Sequence, residues 1–598
     1  MHHTWQLLVL GLGAVSPCLG SLLTNQVILA TPLDDAPQAK VVLESTQDST
    51  VFYPDQKQAI WPKVWNKGPG KADKLVLESV DLRPWNLSIV EVYAYCPGTR
   101  PGSPRIECEW SGAAADFYKW SKITLKFKGP AGKPIDIRFK LTSYVKDAAS
   151  GTLKLSDQAT FTHHWGTRAA PAYHQTDLST FPQPRTVTVS AVPDAEGERA
   201  RLKQRFKWAD FQPTGFYLNP GAPLTVRVSG VSGAGPEPQL LIGTPALAHP
   251  DHRNELLPAL LQPSQPLRNG LNTVSSPFGG IVYVRYVQAA GQTAPPVVIT
   301  LAEGPAAQPF PLFRQGVTTN QEWKAMLVAT KVPFAEQAGR RVIVTGFAAD
   351  ARIYANKGQD QEALLDTYAR IIGAQDSISA LSFAAPDARD KPSPLRPLVV
   401  QSRDNNNPNA FHYRVAIPSR NHDITWSQPV LEKSWMMWHE LGHHRQHTST
   451  WSWGAMGEVT VNIYSLAARR LVPDIPSEHG TVKEWNDAKT YLAQDASKKD
   501  FDAAGHFVRL AMFEQLRVVF GDGFYHELHT HSRSAPDEAN DANKRHYFMT
   551  QAARIARSNL TTYFRKWGAK PEQRTIDEMS KQPAPTQDYT TRPVFGGA

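Results

Sequence analysis

From residue 51 to 165 apolar and polar positions alternate in short runs broken by Gly, Pro and Asp. Examples are Leu75-Val-Leu-Glu-Ser-Val, Ile123-Thr-Leu-Lys-Phe-Lys and Ile135-Asp-Ile-Arg-Phe-Lys-Leu. A period of two is that of a strand with one face buried, and strands at this spacing predict a β-sandwich. Residues 166–200, with Ala169-Ala-Pro-Ala and Phe181-Pro-Gln-Pro-Arg, read as a linker. A second β-rich region over 201–305 carries Leu224-Thr-Val-Arg-Val-Ser and Gly280-Ile-Val-Tyr-Val-Arg-Tyr.

After residue 306 the period changes. Gln361-Glu-Ala-Leu-Leu-Asp-Thr-Tyr-Ala-Arg-Ile-Ile places its apolar residues on one helical face, and Glu322–Ala329 reads as a further helix. Strand patterns persist at Arg341–Thr345, Leu398–Val400 and His412–Ile417. Helices are then expected at 432–447, 458–470, 503–520, 538–557 and 561–567. The fold class is therefore multidomain, with N-terminal β-sandwich domains followed by an α+β, mostly helical domain over 306–598. A cleft is expected between the strand-bearing and helical parts of that last domain.

Length agrees, since 598 residues exceed what one hydrophobic core supports. Residues 5–15 (Trp-Gln-Leu-Leu-Val-Leu-Gly-Leu-Gly-Ala-Val) form a short apolar stretch followed by small residues near Ser21. This reads as a signal peptide over 1–20, too short to span a bilayer, with 21–50 as a leader. No later stretch predicts a transmembrane segment, so a secreted, soluble, monomeric protein is expected. Cys96 and Cys108 remain after that segment, and in an oxidising compartment a disulfide is expected between them. The net charge of +9 is spread without a Lys/Arg run and does not indicate a nucleic-acid partner. For the 51–165 domain, glycan binding is one expectation and a spacer role is the other.

The chemistry sits in Trp435-Met-Met-Trp-His-Glu-Leu-Gly-His443. On a helix, positions i and i+4 share a face, so His439 and His443 can offer imidazole nitrogen to one ion. Glu440, one position round from His439, is placed to act as the base on a water in an open coordination position. With 19 His in 598 residues, His-Glu-x-x-His is expected by chance about 0.03 times. Glu458, at the start of the next helical pattern, supplies a third ligand and completes the His2Glu set of hydrolytic zinc sites. One catalytic Zn2+ is the expected cofactor. Gln446 and Ser449 stand where a metzincin needs Gly and His, which excludes that class. Gly442 leaves room for a close neighbour, either the second helix or substrate. Asn462, one turn beyond Glu458, is expected to orient a ligand or meet substrate. Trp435, one turn before His439, is expected either to face substrate in the cleft or to pack in the core; Trp451 and Trp453 face the same choice. A donor for the oxyanion is sought among Tyr525, His526, His529 and His531, and an edge strand for the substrate at His412–Ile417.

These residues resemble the M60-like, or enhancin-like, zinc metallopeptidases, which are of gluzincin type. The likeness rests on His439–Gln446, Trp451/Trp453 and Glu458-Val-Thr-Val-Asn-Ile-Tyr-Ser-Leu466. It extends to Thr214–Gly221, Ser276–Gly280, Phe520-Gly521 and Leu560–Gly568, about residues 200–570, and leaves the first 165 uncovered. It implies an endopeptidase for mucin-type O-glycosylated proteins, with zinc on His439, His443 and Glu458 and with Glu440 as general base. Met436-Met437 departs from the family pattern beside the pocket. Two alternatives stay open: a zinc protease for unglycosylated proteins, and a catalytically idle glycan-binding adhesin.

Overall fold

The structure, a computed structural model, describes residues 39–596 apart from positions 94, 95, 97, 234, 246, 247, 250 and 290. The expected signal peptide and most of the expected leader lie outside the described residues. The chain divides into two compact units, the first ending at Ala169 and the second starting at Ala170.

In the first unit, two five-stranded sheets enclose one hydrophobic cluster. One sheet has the order Val41–Gln47, Lys57–Asn66, Lys122–Phe127, Leu87–Tyr93, with Phe117–Trp120 also paired to Lys57–Asn66. The other has the order Val51–Phe52, Leu153–Thr167, Ile135–Lys146, Ala72–Ser79, Glu107–Ala113. Alternation decides the faces: Ile135, Ile137, Phe139 and Leu141 are buried while Asp136, Arg138 and Lys140 are exposed. Ile60, Val64, Ile123 and Leu125 of the first sheet meet Leu75, Leu77 and Ile137 of the second in one core. Cys96 and Cys108 are both buried and joined in a disulfide. Val41–Gln47, inside the expected leader, is a strand in register with Asn66–Ile60. Only Val41 and Leu43 mark its inward face, too short a pattern to stand out from a leader.

The second unit begins β-rich and ends helical. A four-stranded sheet (Thr186–Val189, Val297–Leu301, Leu224–Ser229, Gly270–Val274) shares a core with a five-stranded one built around Gly280–Arg285 and Phe211–Leu218. The expected linker therefore contains structure. Thr186–Val189 pairs antiparallel with Val297–Thr300, and Asp194 caps the helix Ala195–Arg201 by accepting from the Gly197 amide. The flanking prolines had masked a four-residue alternating run. A six-stranded mixed sheet follows, ordered Leu312–Arg314, Phe334–Ala338, Ile343–Phe347, Leu398–Ser402, Arg414–Pro418, Asn409–Phe411.

Helices then dominate, as expected, and the motif helix Trp435–Arg445 packs against both Asn409–Pro418 and the helix Val461–Arg469. Ser434 caps the motif helix by accepting from the Met437 amide. Trp435, Met437, Trp438, Leu441 and Gly442 are all buried, so this helix is enclosed on several sides. At its C-terminal end, Arg445 shares the Asp376 carboxylate with the guanidinium group of Arg341. That pairing lets a buried positive charge sit in the core. Among the described residues no helix is long and apolar enough to cross a membrane.

Candidate metal centre

The two motif histidines emerge on one face of their helix, with ring centroids 4.6 Å apart and planes at 89°. Glu458 lies in the turn just ahead of Val461–Arg469 rather than on the helix, and its Oε2 stands 3.1 Å from His439 Nε2 and 3.4 Å from His443 Nε2. A tetrahedral ion with donors at about 2.0–2.1 Å separates those donors by about 3.3 Å, so both Glu458 distances are ones that a shared small cation could accommodate. His439, Glu440 and His443 also form a group whose ligand-type atoms all lie within 4.8 Å of one another. Glu440 differs from Glu458 in that none of its oxygens bridges the two imidazoles.

The far nitrogen of each histidine is held by a side-chain carbonyl. His439 Nδ1 lies 2.9 Å from Asn462 Oδ1, and His443 Nδ1 lies 2.9 Å from Gln446 Oε1. Both amides are themselves oriented. Asn462 donates from Nδ2 to the Glu458 carbonyl, and Gln446 donates from Nε2 to the Gly457 carbonyl and Thr460 Oγ1. Each therefore presents oxygen to the imidazole and accepts from Nδ1–H, so that Nε2, which faces Glu458, is the nitrogen a metal would take. Arg205, from the β-rich region, donates to Gln446 Oε1 at 3.1 Å. The donor set fits a borderline metal such as zinc.

Charge is tuned by burial and by these neighbours. Burial works against ionisation of Glu458, yet the hydrogen bonds from His439 and His443 hold its carboxyl well below the usual range. Burial disfavours a charged His439, but Glu458 and the Glu440 charge outweigh it and raise the imidazole above its ordinary value. Glu440 goes the other way: burial raises it, and the two histidines only partly offset that. Its residue is 5% exposed and its Oε2 has no hydrogen-bond partner. A buried, unpartnered carboxylate oxygen beside the donor set is a place for a water or a substrate atom.

Other expected positions fall elsewhere. Trp435 is 5% exposed and packs on Trp438, His479 and Phe507 at 5.5–6.1 Å between centroids. It is a core residue of the motif helix, its ring drawn in by aromatic neighbours from the helical region. Asn462 points at His439 and not into open space. Trp451 and Trp453 are fully buried. Tyr525 donates to the Phe513 carbonyl, and His529 is enclosed with its Nε2 2.9 Å from the Tyr464 hydroxyl, so neither faces the metal donors. Strand Arg414–Pro418 is paired on both sides, and the sheet edge is Asn409–Phe411. Arg205 and the clamping role of Gln446 were not read from the sequence. Gln446 carried a signal, being one turn beyond His443; Arg205, 238 residues away, carried none.

Comparison with known proteins matches residues 306–568 to the model of peptidase M60, enhancin and enhancin-like, and residues 193–300 to the N-terminal domain of M60-like peptidases. The chain belongs to the M60 family. TRPM8 channel-associated factor 2 of Bos taurus is 24% identical over 323 residues, covering 52% of this chain and 33% of that protein. The chain thus spans about a third of the length of the curated relatives it matches. A conserved protein of unknown function from Bacillus anthracis str. Ames superposes with a TM-score of 0.59 at 26% identity, covering 68% of this chain and 80% of that one. The M60 catalytic domain of ZmpC from Clostridium perfringens, solved with the sialyl T antigen, shares the fold with a TM-score of 0.56 at 17% identity over 68% of this chain and 81% of its own.

Proposed function

We propose that this chain is an exported zinc endopeptidase that hydrolyses peptide bonds in mucin-type O-glycosylated proteins. The observation that carries the reading is the approach of Glu458 Oε2 to both histidine Nε2 atoms, beside a buried Glu440 with a free oxygen. His439, His443 and Glu458 would hold a zinc ion, which supplies Lewis acidity and makes a nearby water more acidic. Glu440 Oε2 takes the water proton and passes it to the nitrogen of the leaving amine. Asn462 and Gln446 keep the imidazoles in the donating tautomer throughout.

Asn409–Phe411 presents the sheet edge beside the motif helix, and an extended peptide can add to it through main-chain hydrogen bonds. The substrate class is supported by family membership and by the glycan bound to the M60 domain of ZmpC. Export is supported by the apolar stretch at residues 5–15 and by the disulfide. We read the first unit as a β-sandwich, on the strength of two sheets sharing one core.

The test is cleavage of a mucin before and after enzymatic removal of its O-glycans, with the released peptides identified by mass spectrometry. Cleavage beside glycosylated Ser or Thr, lost on the bare protein, is expected. Undiminished cutting of the bare protein would assign the chain to unglycosylated substrates instead.

A further inference from the structure

The first unit carries an aromatic face that its core does not use. On the sheet holding Val41–Gln47 and Lys57–Asn66, the outward side of the second strand reads Trp61, Lys63, Trp65. Across the ladder Trp65 lies opposite Tyr118 and Lys63 opposite Trp120. The rings form two groups of three: Trp65 to Tyr118 at 4.7 Å and Tyr118 to Phe117 at 5.8 Å, then Trp61 to Trp120 at 6.4 Å and Trp120 to Tyr93 at 6.2 Å. Trp61, Tyr93 and Phe117 are 39%, 56% and 52% exposed. Lone exposed aromatics are ordinary, but two groups of three rings on one sheet mark a surface that meets something.

The rings are also held in place. Trp65 donates from its indole to Glu44 at 2.7 Å and Trp61 to Asp48 at 3.4 Å. The Lys63 ammonium stands 4.5 Å and 4.1 Å over Trp65 and Tyr118, and Lys67 stands 3.7 Å over Trp65. Rings fixed before a ligand arrives lose little entropy on binding it. Charge identifies the partner. Lys63 is paired with Glu44 at 3.6 Å and Lys67 with Asp116 at 2.9 Å, so the cations beside Trp65 are answered by carboxylates, while Lys122 stands 5.1 Å over Trp61 and Lys119 5.8 Å over Phe117. A phosphate backbone or an anionic bilayer needs a cationic stripe that is not answered by acids. A neutral sugar chain needs flat π faces for its C–H surfaces, with both donors and acceptors nearby for its hydroxyls.

We propose that this face binds a neutral glycan chain of hexose or N-acetylhexosamine units. The proposal does not depend on the peptidase reading. The test is calorimetric titration of the full chain with cellohexaose and chitohexaose, with poly(dT) and phosphatidylserine-containing vesicles as comparison ligands. Saturable binding of a neutral hexasaccharide is expected. Trp61→Ala and Tyr93→Ala should each weaken it about tenfold or more, the loss of one stacking contact. Their melting temperature should stay unchanged, and Leu153→Ala, at an exposed position on the other sheet, should bind normally. Failure of both hexasaccharides to bind overturns the proposal. So does full-strength binding by folded Trp61→Ala and Tyr93→Ala, or binding of poly(dT) or vesicles that these variants abolish.

Discussion

A β-carbon on Gly442 would stand 2.9 Å from the carbonyl oxygen of Val461, so the motif helix and the Val461–Arg469 helix meet with backbone almost touching backbone. Gly442 precedes His443, and Val461 precedes Asn462. The close approach is what brings the Asn462 amide to His439 and the Glu458 carboxylate between the two imidazoles.

Gly442→Ala should therefore damage the site through packing. The methyl gains about 1 kcal/mol of helix propensity. It is opposed by overpacking against a backbone atom and against Val461 Cγ2 at 3.1 Å, which costs about 1–3 kcal/mol. A lower urea midpoint together with weaker zinc retention is expected. A stabilised variant with normal metal content would show that the helices can part at no cost.

The clamps on Nδ1 predict a metal phenotype without a change of ligand. Asn462→Ala and Gln446→Ala each remove the acceptor that fixes an imidazole, and should weaken zinc binding by about 10–100-fold in chelator competition. Arg205→Ala should produce a smaller loss of the same kind, because its guanidinium stands 3.1 Å from Gln446 Oε1 and 3.3 Å from His443 Nδ1.

Glu440→Gln tests the chemistry alone. It keeps the shape of the side chain and removes the proton acceptor, so kcat should fall by about 10²–10⁴-fold with zinc content and melting temperature retained. A variant that still cleaves a glycoprotein at the native rate would remove Glu440 from the mechanism.

The centre was legible where its residues are near in sequence. His439 and His443 share a face because of the α-helical period, and Glu458 follows within one turn and one connection. What escaped depended on distant packing. Arg205 reaches the site across 238 residues. Trp435 shares a helical face with His439, but its ring is placed by His479 and Phe507 from elements still to come along the chain. The sheet edge was misplaced by one strand because Asn409–Phe411 is three residues long and has no apolar alternation to announce it. Val41–Gln47 was passed over for a similar reason, since its pattern rests on two inward residues.

The helical core also predicts how the protein fails in acid. His447 and His529 are fully buried, with ring centroids 4.8 Å apart, and His447 Nδ1 lies 2.7 Å from Ser532 Oγ. Burial, with each other's proximity and Arg533 adding repulsion, pushes His447 well below the ordinary imidazole value. Burial, against a hydrogen bond to the Tyr525 carbonyl, lowers His529 to about 3. In the unfolded chain both titrate near about 6.5. Above that value neither state binds the proton and the folded protein keeps its full stability. As pH falls from about 6.5 towards 3 the unfolded state gains protons that the folded state refuses, and stability drops by up to about 1.4 kcal/mol per pH unit for each histidine. Urea midpoints measured at pH 7, 6 and 5 should fall accordingly. In His447→Gln, where a neutral amide meets Ser532 without a titrating ring, the slope below pH 6 should be shallower by about one proton. An unchanged slope would mean that the acid sensitivity arises elsewhere in the chain.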